Sequence, residues 1–152
     1  HYRCVGPSPL EAPVVRSDDL VLSLLGNALE LLPRAEAEMM AEKVGAQYGR
    51  VLATGLSCED LEHGQRSLKS AMQTVADALT AHGFAAHTDH RNNQLRIVNN
   101  HCPFGDVAIE HPVICAVDRG MVKGMLGALY GETNPELRES IPQGDTFCAT
   151  SI

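Results

Sequence analysis

Apolar residues recur at helical spacing in the first third of the chain. The stretch DLVLSLLGNALELL follows the N-capping residues Ser17 and Asp18 and is apolar at Leu20, Leu24 and Leu31. Pro33 ends this helix or opens the next one. In RAEAEMMAEKVGAQYGRVLATG the apolar positions before the C-capping Gly55 are Met39, Met40, Val44, Tyr48, Val51 and Leu52. The pattern predicts two consecutive helices.

A third helical pattern is followed by a change of period. SCEDLEHGQRSLKSAMQTVADALTAHG opens with capping residues, stops at Gly83, and is apolar at Leu61, Leu68, Met72, Val75 and Leu79. FAAHTDH and QLRIVN then alternate with a period of two and are separated by the polar RNN. We therefore expect a helix followed by a β-hairpin.

The remaining chain repeats this order. Pro103 suits the first position of a short helix over FGDVAIEH, with Cys102 just outside it. Pro112 restarts the chain into the apolar helix VICAVDRGMVKGMLGALYG, which ends at Gly131, and ELRESI and TFCATSI predict two strands around the turn PQGD. The pattern predicts an α+β fold, a helical arm followed by a small α/β module with two β-hairpins.

Three segments follow from this reading. Residues 1–16 contain three prolines and predict a linker or the end of a preceding module, residues 17–56 form the helical arm, and residues 57–152 form the α+β module. The chain does not begin with Met. This favours a piece of a longer protein.

Composition limits the function classes. The 152 residues are 44% hydrophobic and 20% charged, with neither an apolar run that could span a membrane nor a signal peptide, so we expect a cytoplasmic protein without a membrane partner. The net charge is −7, and the 12 basic residues are scattered. This argues against DNA binding by the chain itself, although an attached basic domain could bind DNA.

The cysteines are the candidate site. Five cysteines are an odd number for a disulfide framework, and intracellular thiols stay reduced. Cys102 lies at a strand-to-helix turn and Cys115 in the first turn of the next helix, where free N–H groups favour thiolate. Cys148 can join them if the last strand lies alongside. Three thiolates suit an iron–sulfur cluster or zinc. No CxxC pair is present, so the usual pattern of a structural zinc site is missing. The competing interpretation is that these are ordinary buried core cysteines.

Other candidates are weaker. His111 precedes Cys115 by four residues and His101 adjoins Cys102, but we expect a surface role for His111 and a side chain of His101 that points away from the thiol. His87, Asp89 and His90 predict a polar hairpin end. Cys4 and Cys58 lie in other segments, so a fourth ligand is unassigned. A catalytic Cys102 with His111 is the weakest idea, and we do not expect an enzyme.

One stretch resembles a known family. NHCPFGDVAIEHPVIC, GMVKGMLGAL and IPQGDTFCATSI resemble the C-terminal sensor domain of SufR-like regulators, which are ArsR/DeoR-type winged-helix repressors. The resemblance covers residues 65–152 well, and HYRCVGP looks like the last wing strand of a missing DNA-binding domain. It implies that Cys102, Cys115 and Cys148 bind a [4Fe-4S] or [2Fe-2S] cluster. It also implies that the helical arm is a dimerisation arm that forms a homodimer and that the α/β module is a sensor module.

The leading hypothesis is therefore the redox-sensing and dimerisation region of a transcriptional repressor. Loss or oxidation of the cluster would free the hairpin, the loop and the last strand, and the arm would carry the change to DNA-binding heads. One alternative is a metal-free domain that binds a small molecule between the sheet and the helix over residues 113–130. Another alternative is an interaction module stabilised by zinc.

Overall fold

The computed structural model describes residues 17–56 and 67–152. The described elements are α1 Ser17–Glu30, α2 Arg34–Thr54, α3 Leu68–Ala81, β1 Ala86–Arg91, β2 Gln94–Asn99, α4 Gly105–Glu110, α5 Cys115–Leu129, β3 Glu136–Glu139 and β4 Cys148–Ser151. Helices and one antiparallel sheet confirm the α+β class. The predicted linker over residues 1–16, with its wing strand and Cys4, and the first ten residues of the C-terminal module, with Cys58 and Leu61, lie outside the described residues.

Helix α2 lies along α5 with the two backbones in contact. The buried residues of α2 recur at every fourth position and are all small: Ala37, Ala41, Gly45, Gly49 and Ala53. A Cβ on Gly45 would stand 2.1 Å from the carbonyl oxygen of Val117, and one on Gly120 would stand 2.2 Å from that of Glu42. No side chain fits between the helices at these points, so glycine sets their separation. Met40, Val44, Tyr48 and Val51, which mark α2 as a helix in the sequence, are instead exposed.

Helix α3 supplies the other side of the core. It begins at the N-cap Ser67, whose hydroxyl accepts a hydrogen bond of 3.2 Å from the backbone N–H of Ser70. Its apolar face packs with α5 and β2 in one cluster whose largest fully buried members are Met72, Val75, Leu79, Ile97, Val122, Met125 and Leu126. Apolar side chains thus fill the region between the helices and the sheet.

The first hairpin is formed as predicted. Strands β1 and β2 pair antiparallel from Ala86↔Asn99 to Arg91↔Gln94. The turn residues Asn92 and Asn93 both have positive φ, at 51° and 62°. Positive φ at both central positions is the requirement of a tight turn that matches the twist of the strands, and asparagine tolerates it better than most residues.

The second hairpin joins the first in a single sheet. Strands β3 and β4 pair antiparallel as predicted, with a register shift between Leu137 and Glu139. The sheet order is β1-β2-β4-β3, because β4 also pairs with β2. In that register Asn99 lies opposite Cys148. The last strand therefore lies alongside the end of β2, which is the condition that the sequence set for bringing Cys148 to Cys102.

The helices after Pro103 and Pro112 begin at slightly later residues than the sequence predicts. Pro103 does not open α4, since the helix begins at Gly105 with Phe104 as its N-cap. Pro112 opens a short 3-10 turn over Pro112–Ile114, and α5 continues from Cys115 to Leu129 rather than to Gly131. Cys115 is thus the first residue of the long helix. Among the described residues, no helix combines the length and the apolar character needed to cross a bilayer.

Candidate functional site

Three cysteines from separate elements lie together at one end of the sheet. Cys102 is in the loop after β2, Cys115 begins α5, and Cys148 begins β4. The thiols of Cys102 and Cys148 both raise the pKa of Cys115, after the larger effect of burial, so all three lie within electrostatic range. Cys148 is buried, and the other two are partly buried. The structure therefore brings together the three site residues that the sequence singled out.

Local hydrogen bonds hold the sulfur atoms. The backbone N–H of Ile141 donates to Sγ of Cys148 at 3.4 Å. The backbone N–H groups of Phe104 and Gly105 hydrogen-bond to the thiol of Cys102. Gly105 has a φ of 54°, which places its N–H in this turn, and it also donates to the carbonyl oxygen of Cys102 at 3.1 Å. The Cys-Pro-Phe-Gly segment is thus a turn that wraps a sulfur atom with N–H donors.

Burial decides the protonation of the thiols. It raises the pKa of Cys115 to about 12 and also raises the pKa values of Cys102 and Cys148. The expectation that the helix N-terminus makes the Cys102 and Cys115 thiols easy to ionise is therefore wrong. Desolvation of the charged form outweighs the dipole and the N–H donors. All three thiols are neutral at neutral pH.

A buried carboxylate faces the thiols, and the sequence analysis missed it. Asp118 is 8% exposed, and its Oδ2 accepts a hydrogen bond of 3.0 Å from Nδ2 of Asn99. Its Oδ1 is buried without a hydrogen-bond partner, and so is Oδ1 of Asn99. Burial raises the pKa of Asp118 to about 6. The available signal was the one acidic residue of a helix rich in apolar residues, placed one turn after Cys115.

Ser140 completes the polar lining of this site. It is buried, and its side chain hydrogen-bonds to the thiols of both Cys115 and Cys148. Its backbone N–H donates to Oδ2 of Asp145 at 2.7 Å, which orders the segment before β4. The cysteines, Asp118 and Ser140 together form what we call the thiol site.

No ready-made metal site is present in residues 17–56 and 67–152: no three His, Cys, Asp or Glu side chains there are arranged to hold a metal ion. The three cysteines predicted as ligands therefore lie near one another without the arrangement of a metal site.

The histidine candidates have other roles. His111 is not a surface residue: it is 7% exposed, and its Nδ1 lies 2.6 Å from Oε1 of Glu30, which ties α4 to α1. His87 contacts Asn100, with 3.3 Å between Nδ1 of the ring and the amide nitrogen. Asp89 pairs with Arg96, which also binds Glu139 across the sheet. These side chains hold the fold together.

A second candidate site is an exposed apolar surface on the two N-terminal helices. We call it the arm surface, and its members are Leu20, Val21, Leu24, Leu25, Leu31, Met40, Val44, Tyr48 and Val51, which are 43–87% exposed. On α1 the buried residues Gly26 and Leu29 lie on the other face. On α2 the small residues face α5, so the large apolar ones point away from it. Both helices thus present their larger apolar side chains to solvent.

Comparison with known proteins gives one family and one similar fold. The model of a family described as methanogen output domain 1 matches residues 30–152. A solved structure of trafficking protein particle complex subunit 3 from Naegleria fowleri, covalently bound to palmitic acid, is similar with a TM-score of 0.65 and 16% identity, over 89% of this chain and 93% of that chain. At this identity the likeness shows the fold alone. No curated protein matches the chain.

These matches correct the sequence-based identification. The resemblance to SufR-like winged-helix regulators is wrong, and with it the function of an iron–sulfur, DNA-binding, redox-sensing repressor. Two features that supported the resemblance have structural causes here. The glycines of the apolar helix allow α2 to approach α5, and the Cys-Pro-Phe segment forms the turn around Cys102. The chain belongs to the methanogen output domain 1 family.

Proposed function

We propose that this chain is a regulatory output module that works by binding a second copy of itself through the arm surface, and not by catalysis. The observation that carries the proposal is the pair of exposed apolar faces on α1 and α2. Large apolar patches on a protein surface mark interaction sites, because leaving them in water is unfavourable. The family description, an output domain, supports a role in passing on a signal.

The size of the arm surface favours a stable partner. Nine large side chains that are 43–87% exposed present on the order of 700–900 Å² of apolar area. Each partner in a standard-size interface buries about 800 Å², whereas the largest patch on an ordinary monomer is roughly 300–600 Å². The summed apolar area of the arm surface is therefore in the range that one partner of a dimer buries.

The charges favour a second copy as the occupant. The charged residues of α1 are all acidic: Asp18, Asp19 and Glu30. Helix α2 carries the exposed cations Arg34, Lys43 and Arg50 beside Glu36, Glu38 and Glu42. Arg34 is paired with Glu38, and Glu42 is paired with Arg119 and Lys123. Placing α1 of one copy against α2 of the other brings the acidic end of α1 near Lys43 and Arg50, twice in a two-fold dimer. Such a four-helix contact buries both apolar faces at once.

The test is the oligomeric state of the full chain. Light scattering after size exclusion, at about 10–100 μM, should give a dimer for the wild type and a monomer for Leu24→Glu, because a buried carboxylate without a partner opposes association. Ile109→Glu is the matched control, since Ile109 is 53% exposed but lies on α4 and is not a member of the arm surface. Its dimer should persist. A monomeric wild type, or equal loss of the dimer in both variants with native circular dichroism, would refute the proposal.

A charge variant tests the arrangement of the helices. Arg50→Glu should weaken the dimer severalfold at low salt, whereas Lys69→Glu on the exposed side of α3 should not. Equal effects of the two substitutions would mean that the charge of α2 does not contribute to the interface.

A further inference from the structure

We propose that a cleft between the C-terminal halves of α2 and α5 binds a small zwitterion, a molecule of the α-amino acid class with one carboxylate and one ammonium group. We call it the α2–α5 cleft, and its volume is about 480 Å³. Its lining residues are Arg50, Lys123, Gly124, Gly127, Glu132 and Thr133. Because all of them belong to one chain, the inference does not depend on the dimer.

Glycines of α5 form one wall of the cleft. The backbone of Ala46 on α2 lies against Gly124, where an added Cβ would stand 2.1 Å from the Ala46 carbonyl oxygen. At Gly127, three residues further along α5, an added Cβ would meet nothing within 4 Å. The two helices therefore touch at Gly124 and leave open space at Gly127. The absence of a side chain at Gly127 lets a ligand approach the helix backbone.

Arg50 is the cation that is available to a carboxylate in the cleft. It is exposed and follows Ala46 by one turn on α2. Lys123 also lines the cleft, but its ammonium nitrogen lies 2.8 Å from Oε1 of Glu42, which offsets its charge. The ion pairs among the described residues do not include Arg50. Its guanidinium group therefore keeps the N–H donors that bind a carboxylate at two points.

Glu132 and the end of α5 give the same cleft a negative side. Glu132 is exposed, and it too takes part in none of the ion pairs among the described residues. Helix α5 ends at Leu129 without a basic residue in its last turn, so no side chain there offsets the partial negative charge of the helix C-terminus. Both features stabilise an ammonium group and repel a simple anion. The two signs of charge in one cleft therefore favour a zwitterion.

The hydroxyl of Thr133 is a buried polar group that lacks a partner. Its Oγ1 has no hydrogen bond to any part of the chain that the structure describes. Buried polar atoms nearly always have a partner, because an unpaired one is costly. A hydroxyl can donate to a carboxylate or accept from an ammonium group, so a bound zwitterion satisfies it with either of its charged ends.

The experiment titrates the full chain with glycine, L-alanine and L-leucine while ¹H–¹⁵N NMR spectra are recorded. The amide signals of Gly124, Gly127 and Thr133 should shift and saturate, with dissociation constants of about 0.1–10 mM. Acetate and methylammonium each carry one of the two charges and should bind at least about 10-fold more weakly at the same ionic strength. Acetate that binds as tightly as the amino acids would overturn the proposal, and so would the absence of saturable shifts with all three amino acids.

Substitutions in the cleft test the role of each wall. Arg50→Gln and Glu132→Gln should each weaken binding at least about 10-fold, because each removes the counter-charge for one end of the ligand. Gly127→Leu should abolish binding and keep the fold, since a side chain there extends into open space and fills the cleft. Arg34→Gln and Glu110→Gln are the matched controls. Arg34 is exposed on α2 and Glu110 is exposed at the end of α4, and neither lines the cleft.

Both controls should bind the three amino acids as the wild type does. Loss of binding in either control, or wild-type affinity in folded Arg50→Gln or Glu132→Gln, would overturn the assignment of the cleft. Leu24→Glu, which is designed to break the dimer, should also keep wild-type affinity. A wild type that binds the amino acids yet is monomeric would refute the dimer and leave the α2–α5 cleft intact.

Discussion

The backbone carbonyl oxygen of Ala46 lies 2.1 Å from the position that a Cβ on Gly124 would occupy. The same relationship recurs one turn earlier between Glu42 and Gly120, and in reverse between Gly45 and Val117. Backbone atoms cannot rotate out of the way as a side chain can. The contact between α2 and α5 therefore depends on the absence of side chains at these few positions.

Gly124→Ala should destabilise the fold by about 1–3 kcal/mol, because the new methyl group forces the helices apart. Gly127→Ala on the same helix is the control, since a Cβ there meets nothing within 4 Å. It should be neutral or stabilising by up to about 1 kcal/mol through helix propensity. Urea unfolding of the two variants measures the difference, and equal stabilities would contradict the role of the close contact.

Glu42 links α2 to α5 by charge. Its carboxylate binds Arg119 at 2.8 Å and Lys123 at 2.8 Å. Burial alone would raise the pKa of Glu42, but the hydrogen bonds from Lys123 and Arg119 outweigh it and lower the pKa below its usual range. The stabilisation is therefore present above the unfolded pKa and is lost as the pH falls through the folded pKa.

We expect Glu42→Gln to lose about 1 kcal/mol at pH 7 and to match the wild type at acidic pH below the folded pKa. Glu38→Gln is the control, because Arg34, its partner, is 80% exposed. It should change stability by less than about 0.5 kcal/mol. Unfolding curves at several pH values test this, and a Glu42→Gln deficit that persists in acid would rule out the ionic origin.

Helix α1 packs tightly against the end of α4 at Gly26. A Cβ on Gly26 would stand 2.3 Å from Cδ2 of the His111 ring, which is held by Glu30. Gly26→Ala should displace the ring and loosen α1, so that hydrogen exchange of α1 amides becomes faster while the sheet is unchanged. Asn27→Ala, at an exposed neighbouring position, should not have this effect. Unaltered exchange in α1 of Gly26→Ala would show that the junction can adjust.

The turn between β1 and β2 offers a simple stability test. Asn93 has a φ of 62°, which glycine adopts freely and alanine adopts at a cost of about 1–2 kcal/mol. Asn93→Gly should therefore match or slightly exceed the wild type in melting temperature, and Asn93→Ala should fall below it. If alanine were as stable as glycine at this position, positive φ would not govern the turn.

The chain's local patterns determined its elements. Helical spacing of apolar residues in α1 and α2 and the polar turn between β1 and β2 were sufficient to predict where these helices and strands lie, since propensity and turn chemistry act over a few residues. The same patterns identified Cys102, Cys115 and Cys148 as candidate site residues. The similarity of short motifs to SufR-like regulators was not a reliable guide to family, because glycine spacing and a Cys-Pro-Phe turn also serve packing.

Tertiary structure decided which faces those elements bury. In α2 the sequence marks Met40, Val44 and Tyr48 as the apolar stripe, yet the buried positions are alanine and glycine, because α5 carries glycines that let the two backbones meet. The pairing of β4 with β2 brought Cys148 beside Asn99, and Asn99 in turn held Asp118. Contacts between residues far apart in the chain depend on how the elements pack together, and no local pattern encodes that packing.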